Sequence, residues 1–360
     1  MDLTKRDLTR RDLGKLALAA LPAAQLLAKP NSNFDGVQVG VITYSYRSMP
    51  GANDAEALLK YIVDSGISGI ELMGPAAEIY AGSPAPAGRG GGGGGRGAGA
   101  PGGGPRPGPG GPGRGPENAL APQGQGRGPG GGGGGRAPLT AEQQAAQQAR
   151  AAELKAWRLS VPMDKYKALR KMYNDAGVDI YAFKLEPNPN MSDEEYEYIF
   201  HVADTLGANH VTLELSNDAA FTKRIGDFAA KKRMRVAYHA HTQATITAWD
   251  AVLEQSTGNA LNLDCGHYVA GTSESPIPLI RKHSGRIASV HLKDRQKAST
   301  GGANLPWGQG ETPIKEILTL MRTEKYKFPA SIELEYQIPE GSDAVVETSK
   351  CVQFCKNALA

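Results

Sequence analysis

Cysteine is scarce. Three cysteines in 360 residues, Cys265, Cys351 and Cys355, make no disulfide framework. The i, i+4 spacing of the last two on a helical stretch reads as small buried side chains, with a redox pair as the other reading. A charge imbalance is missing as well: 40 basic and 37 acidic residues leave a net charge of +3, which points to no polyanionic partner. No apolar run is long enough to make a convincing membrane span, since Leu16 to Ala28 is short and rich in alanine. From Gly82 to Pro138 large apolar residues almost vanish. A segment of Gly, Pro and Arg cannot bury enough surface to offset the entropy of ordering it, so a disordered insertion in one loop is expected. Its arginine-glycine texture would suit single-stranded nucleic acid. It has no aromatic residue to stack on a base, however, so a solvated spacer is the preferred reading and no nucleic-acid partner is expected.

What remains is ordinary and sufficient for a sizeable core, with 40% hydrophobic residues. Thr9-Arg10-Arg11-Asp12-Leu13-Gly14-Lys15, followed by the short apolar run, looks like a twin-arginine export signal over residues 1–30. It implies a protein that works in the periplasm or otherwise outside the cytoplasm. An amphipathic N-terminal helix is the alternative, because no clean A-x-A cleavage site follows. From Val37 onward, strand and helix patterns alternate. Strands are expected at Val37–Tyr44, Ile67–Met73, Val178–Leu185, His210–Leu215, Arg235–His239, Leu261–Asp264, Arg286–Leu292 and Ala330–Glu335, with helices between them. Eight such units in order favour a (β/α)8 TIM barrel over a doubly wound sheet. The barrel starts over 34–81, is interrupted by the insertion over 82–138 after strand two, and resumes over 139–360.

In parallel α/β folds, ligands bind at the C-terminal ends of strands. The polar residues at those predicted ends are Glu71, Glu214, His239 with His241, Asp264 with His267, His291 with Lys293, and Glu333 with Glu335. Side chains alternate along a strand, so the members of His239/His241 and of Glu333/Glu335 point the same way. Oxygens and imidazoles converging without thiolates suit a divalent Mn²⁺, Mg²⁺, Co²⁺ or Zn²⁺. Three alternatives stand beside this reading. Asp264 suits the cap of a following helix. Glu71 and Glu214 suit structural ion pairs. Trp307, in a Gly-flanked loop, suits packing as well as a sugar face.

The runs GISGIELMG, YHAH, LDCGHYVAG, VHLKDR, WGQGETP and PASIELE, in that order, resemble the xylose isomerase-like TIM barrels, the sugar phosphate isomerase/epimerase group. The resemblance covers Val37 to the C-terminus apart from the insertion. It implies Asp264, His291 and Glu333 as metal ligands, and His267 as a residue that touches substrate. The family's epimerases carry a glutamate on strand five, where Tyr238-His239-Ala240-His241 stands here. That variant is more similar to the inosose dehydratase branch. The fourth ligand is then His239, with Glu214 as the other choice.

The reaction expected is proton abstraction next to a carbonyl on a sugar or cyclitol gripped by the metal. His241 and Glu335 are the candidates for moving the proton, and Lys293 for stabilising the enediolate. Glu71, Trp307 and Arg295 are the candidates for substrate contact. Isomerase or epimerase is the leading expectation, with a dehydratase or lyase next. An abasic-site endonuclease and an exported sugar-binding protein are weaker readings. A homo-oligomer is possible for such a barrel.

Overall fold

The computed structural model describes residues 29–84 and 140–360. The expected export signal and insertion lie, but for their edges, outside the described residues. Short runs rich in valine, isoleucine and leucine form parallel strands β1 (Val37–Ile42), β2 (Gly69–Met73), β3 (Asp179–Lys184), β4 (His210–Glu214), β5 (Arg235–His239), β6 (Asn259–Asp264), β7 (Ile287–Leu292) and β8 (Ala330–Ile332). Each pairs with its neighbours in chain order, and β8 returns to pair with β1 at Ser331 and Gly40. The sheet is therefore a closed (β/α)8 barrel. Closure depends on Gly40, where an added Cβ would lie 2.3 Å from the Tyr181 hydroxyl and 2.8 Å from the Gly69 carbonyl oxygen. Only a residue without a side chain lets β1 pass so near the ring that crosses the interior.

Helices follow the strands on the outside of the barrel. Helix α1 (Ala55–Asp64) starts where Asp54 accepts a hydrogen bond from the Ala57 amide and buries Leu58 and Ile62. Helix α2 (Gly74–Ala81) follows β2, and α3 (Ala141–Ser160) resumes the described chain. Helix α4 (Asp164–Asp175) restarts after the break at Pro162, as its sequence predicts. Helix α5 (Asp193–Leu206) opens with the Ser192–Glu195 capping box. The first part of α3, residues 141–151, belongs to a second unit and is an exposed helical stretch, with Thr140 accepting from the Gln143 amide. Further along α3, Arg158 makes a bidentate pair with Glu78 of α2, at 2.7 and 3.1 Å. The Tyr198 hydroxyl donates to the same carboxylate at 3.0 Å.

Helices α6 (Ala219–Lys231) and α7 (Asp250–Gln255) follow β4 and β5. Two differences from the sequence reading concern the end of the barrel. An additional helix, α8 (Cys265–Thr272), follows β6 directly, and the helix expected over Ser273–His283 is α9, shortened to Ile277–His283. Asp264 caps α8 directly, as the alternative reading of it has it, its Oδ1 accepting from the His267 amide at 2.7 Å. Strand eight was expected to reach Glu335, yet its ladder ends at Ile332. Helices α10 (Ile314–Thr323) and α11 (Ala344–Leu359) complete the ring. Among the described residues no helix is long and apolar enough to cross a membrane.

Candidate active site

The barrel interior is polar. In its lower part His210 Nε2 and Ser289 Oγ lie 3.1 Å apart, and Ser289 donates to Asn262 Oδ1 at 3.0 Å. The Tyr181 and Ser331 hydroxyls pair at 2.6 Å. One layer up, Thr212 donates to Glu71 Oε1 at 2.6 Å, and Asn262 Nδ2 lies 3.4 Å from Glu71 Oε2. Buried polar groups survive only when paired, and each step here supplies a partner for the next.

The upper layer is built by the strand ends. His239, Asp264, His291 and Glu333, all buried, offer ligand atoms that lie within 4.8 Å of one another. A carboxylate stands behind each imidazole. Glu71 Oε2 is 2.7 Å from His291 Nε2, and Glu214 Oε2 is 3.1 Å from His239 Nδ1. These contacts turn His291 Nδ1 toward Glu333, at 2.8 Å, and His239 Nε2 toward Asp264, at 3.2 Å. A carboxylate that fixes the far nitrogen of a ligating histidine is a recurrent device of metal sites.

The electrostatics agree with a place for a cation. Burial alone would lower the pKa of His291, but the charges of Glu71 and Glu333 outweigh it and raise it to about 9. Burial is likewise outweighed at His239 by Glu214 and Asp264, which lift it to about 10. Glu333 and Asp264 are held low against burial, chiefly by the charge of Lys293. Two carboxylates and two imidazoles with no thiolate fit a borderline divalent ion such as Mn²⁺, Co²⁺ or Zn²⁺, and fit Mg²⁺ less well. The donor set therefore suits the group expected.

The rim carries the proton-transfer candidates. His241 stands with its ring 4.8 Å from that of His239 and its side chain 51% exposed, so it faces whatever enters. Burial and the neighbouring His239 push its pKa down, which leaves a neutral ring. Glu335 is 16% exposed, its Oε2 2.7 Å from Lys293 Nζ. His267 lies beneath His241, rings 4.7 Å apart, and is held neutral by burial and by Lys293.

Three candidates occupy places that their expected role did not foresee. Glu71 is fully buried and bonded to His291, Thr212 and Asn262, with no face left for substrate; the alternative reading, an internal ion pair, describes it. Arg295 is buried too, with Nη1 2.5 Å from His267 Nδ1 and both Nε and Nη2 donating to the Gly302 carbonyl. It braces His267 and a loop. Trp307 packs edge to face on Phe354 of α11 at 5.6 Å. Its loop is tied down by Asp294, whose carboxylate accepts from the amides of Gly308 and Gly310. Glu214 stands outside the group of four, between His239 and Lys184 Nζ at 2.9 Å. The sequence reading missed Thr212, Asn262, Ser289 and Ser331. Each stands two residues before a site residue on its strand, so the period of two marks it as pointing into the same interior.

Residues 144–353 match the family described as the xylose isomerase-like TIM barrel. The chain belongs to this family. An inosose dehydratase from Clostridium tetani is 28% identical over 133 residues, which are 31% of this chain and 44% of that protein. The chain spans about half the length or less of the curated relatives it matches. A sugar phosphate isomerase/epimerase from Parabacteroides distasonis superposes with a TM-score of 0.52 at 15% identity, covering 89% of this chain and 93% of that one. An L-ribulose 3-epimerase structure gives 0.51 at 12% identity, over 90% and 94%. At these identities the likeness is one of fold.

Proposed function

We propose that the chain is a divalent-metal-dependent isomerase or epimerase that abstracts a proton next to the carbonyl of a free sugar or keto-sugar. The observation that carries this reading is the convergence of His239, Asp264, His291 and Glu333 beneath two rim groups, His241 and Glu335, that can move protons. Those four residues would hold a divalent ion, and the chemistry it would supply is Lewis-acid polarisation of the substrate carbonyl. His241, neutral and half exposed, takes the proton on one face. Glu335 serves the opposite side or returns the proton to the neighbouring carbon. The Lys293 ammonium supplies positive charge as the enediolate oxygen develops. His267, braced by Arg295 at Nδ1 and 3.0 Å from the Lys293 ammonium at Nε2, positions that ammonium.

The second reading is a dehydratase, in which the same proton is removed and a β-hydroxyl leaves. It is favoured by the curated relatives, which are inosose dehydratases, and by the histidine on β5. Export through the Arg10-Arg11 signal would favour a free sugar or cyclitol over a phosphorylated one, since phosphate esters are largely intracellular. The test is solvent-deuterium exchange on keto-sugars and inososes, with and without added Mn²⁺, followed by product analysis. Metal-dependent exchange with a stereoisomer as product supports the first reading, and loss of water supports the second. No exchange on any substrate would turn the assignment toward a sugar-binding protein.

A further inference from the structure

Lys293 has an unusual position for a lysine. Its side chain is 2% exposed, and its ammonium lies 3.0 Å from Asp264 Oδ2, 2.9 Å from Glu333 Oε2 and 2.7 Å from Glu335 Oε2. The first two oxygens are the ones that face the imidazoles: Asp264 Oδ2 meets His239 Nε2 at 3.2 Å, and Glu333 Oε2 meets His291 Nδ1 at 2.8 Å. Those are the atoms a metal ion would use. The stem of the lysine is steered there by Gly266, where an added Cβ would lie 2.3 Å from Lys293 Cγ.

We infer that Lys293 is a built-in cation that shares the metal's place, so that a divalent ion enters only by drawing the ammonium off Asp264 and Glu333. Glu335, on the open side, is where the displaced ammonium comes to rest. The physical ground is charge. Two carboxylates and two imidazoles attract whatever cation is near, and a tethered ammonium at about 3 Å from both oxygens competes at very high effective concentration. An ion must therefore offset the loss of two charge-assisted hydrogen bonds before it gains its own ligands. The site is tuned to release or exchange its ion, not to hold it permanently. This inference rests on the metal reading above but makes a separate claim about one residue.

The experiment measures Mn²⁺ affinity by competition with a fluorescent chelator, for the wild type and for Lys293→Met, Lys293→Gln and Lys293→Arg. Removing the competing charge should tighten binding in the Met and Gln variants by about 10- to 100-fold, the range in which neighbours of a metal site act. The Arg variant, which keeps the charge, should not gain. Thermal melts with and without Mn²⁺ give the second readout: the ion should raise the melting temperature of the neutral variants more than that of the wild type. Unchanged or weaker Mn²⁺ binding in both neutral variants would overturn the role of Lys293 while leaving the metal reading intact. No binding by any of the proteins would overturn both. Neutral variants that fail to fold even with Mn²⁺ present would also overturn it, because the ion should replace the missing charge.

Discussion

His210 sits at the bottom of the polar ladder, and its burial gives the protein a defined response to acid. Its ring is fully buried, stacked on Tyr181 at 6.5 Å, with Nε2 on Ser289. Burial lowers its pKa from 6.5 to about 4; the charge of Glu71 opposes this, and those of Arg235 and His291 add to it. The folded state thus prefers the neutral ring. A group depressed in this sense contributes its full stability above the unfolded value of 6.5 and loses it as pH falls toward 4. The difference amounts to about 3 kcal/mol, at about 1.4 kcal/mol for each tenfold change in proton affinity. The window lies above that of Glu71, whose pKa is lowered to about 2, so the two are separable. The assay is urea unfolding of the wild type and of His210→Gln at pH 7.5 and at pH 4.5. Glutamine retains a donor toward Ser289 and does not titrate. The wild type should lose about 2 to 3 kcal/mol more than the variant between the two pH values. Equal losses would show that the ring is already charged, or that acid reaches it without unfolding, and would refute the argument.

Glu71→Gln should keep the barrel folded by circular dichroism yet weaken divalent-ion binding by about 10- to 100-fold, because the group orienting His291 loses its charge; an unchanged affinity in a chelator titration would contradict this role. Gly40→Ala should cost about 1–3 kcal/mol, since the new methyl meets the Tyr181 hydroxyl and the Gly69 carbonyl, and a wild-type melting temperature would argue against the close approach. Replacing Arg10 and Arg11 together by lysine should leave the protein in the cytoplasmic fraction of a host with twin-arginine export; unchanged export would remove the localisation proposal.

The alternating periodicity makes the barrel easy to read. Arg235–His239 coincides with β5, because the short apolar run Val236-Ala237-Tyr238 between polar flanks leaves few other options. The region after Asp264 is harder. Cys265-Gly266-His267 carries no helical stripe, since α8 is buried nearly all round and starts from a cap that is also a candidate ligand. Asp264 is a case where two readings that looked exclusive both describe the side chain: Oδ1 caps the helix and Oδ2 faces the site. The candidate site is legible at the strand ends, where strand direction gathers His239, Asp264, His291 and Glu333 with other polar residues, and the family resemblance marks out these four among them. The positions of Arg295 and Trp307 are not, since both depend on a loop folded around Asp294 by contacts distant in sequence. Nor does pattern alone show that Lys293 turns inward among three carboxylates. A lysine ordinarily reaches for solvent, and here Gly266 and the surrounding charges decide otherwise.

The bidentate pair between Glu78 and Arg158 has a consequence for how this barrel could have changed over time. It fastens the helix before the Gly/Pro/Arg-rich stretch to the helix after it, with Tyr198 and Tyr166 sealing the junction. With both ends clasped by the barrel itself, the chain between them can lengthen at little cost, because closing a loop twice as long adds only about 0.6 kcal/mol. The junction acts as a socket. A change in the length of the chain between the two helices leaves the clasp itself untouched.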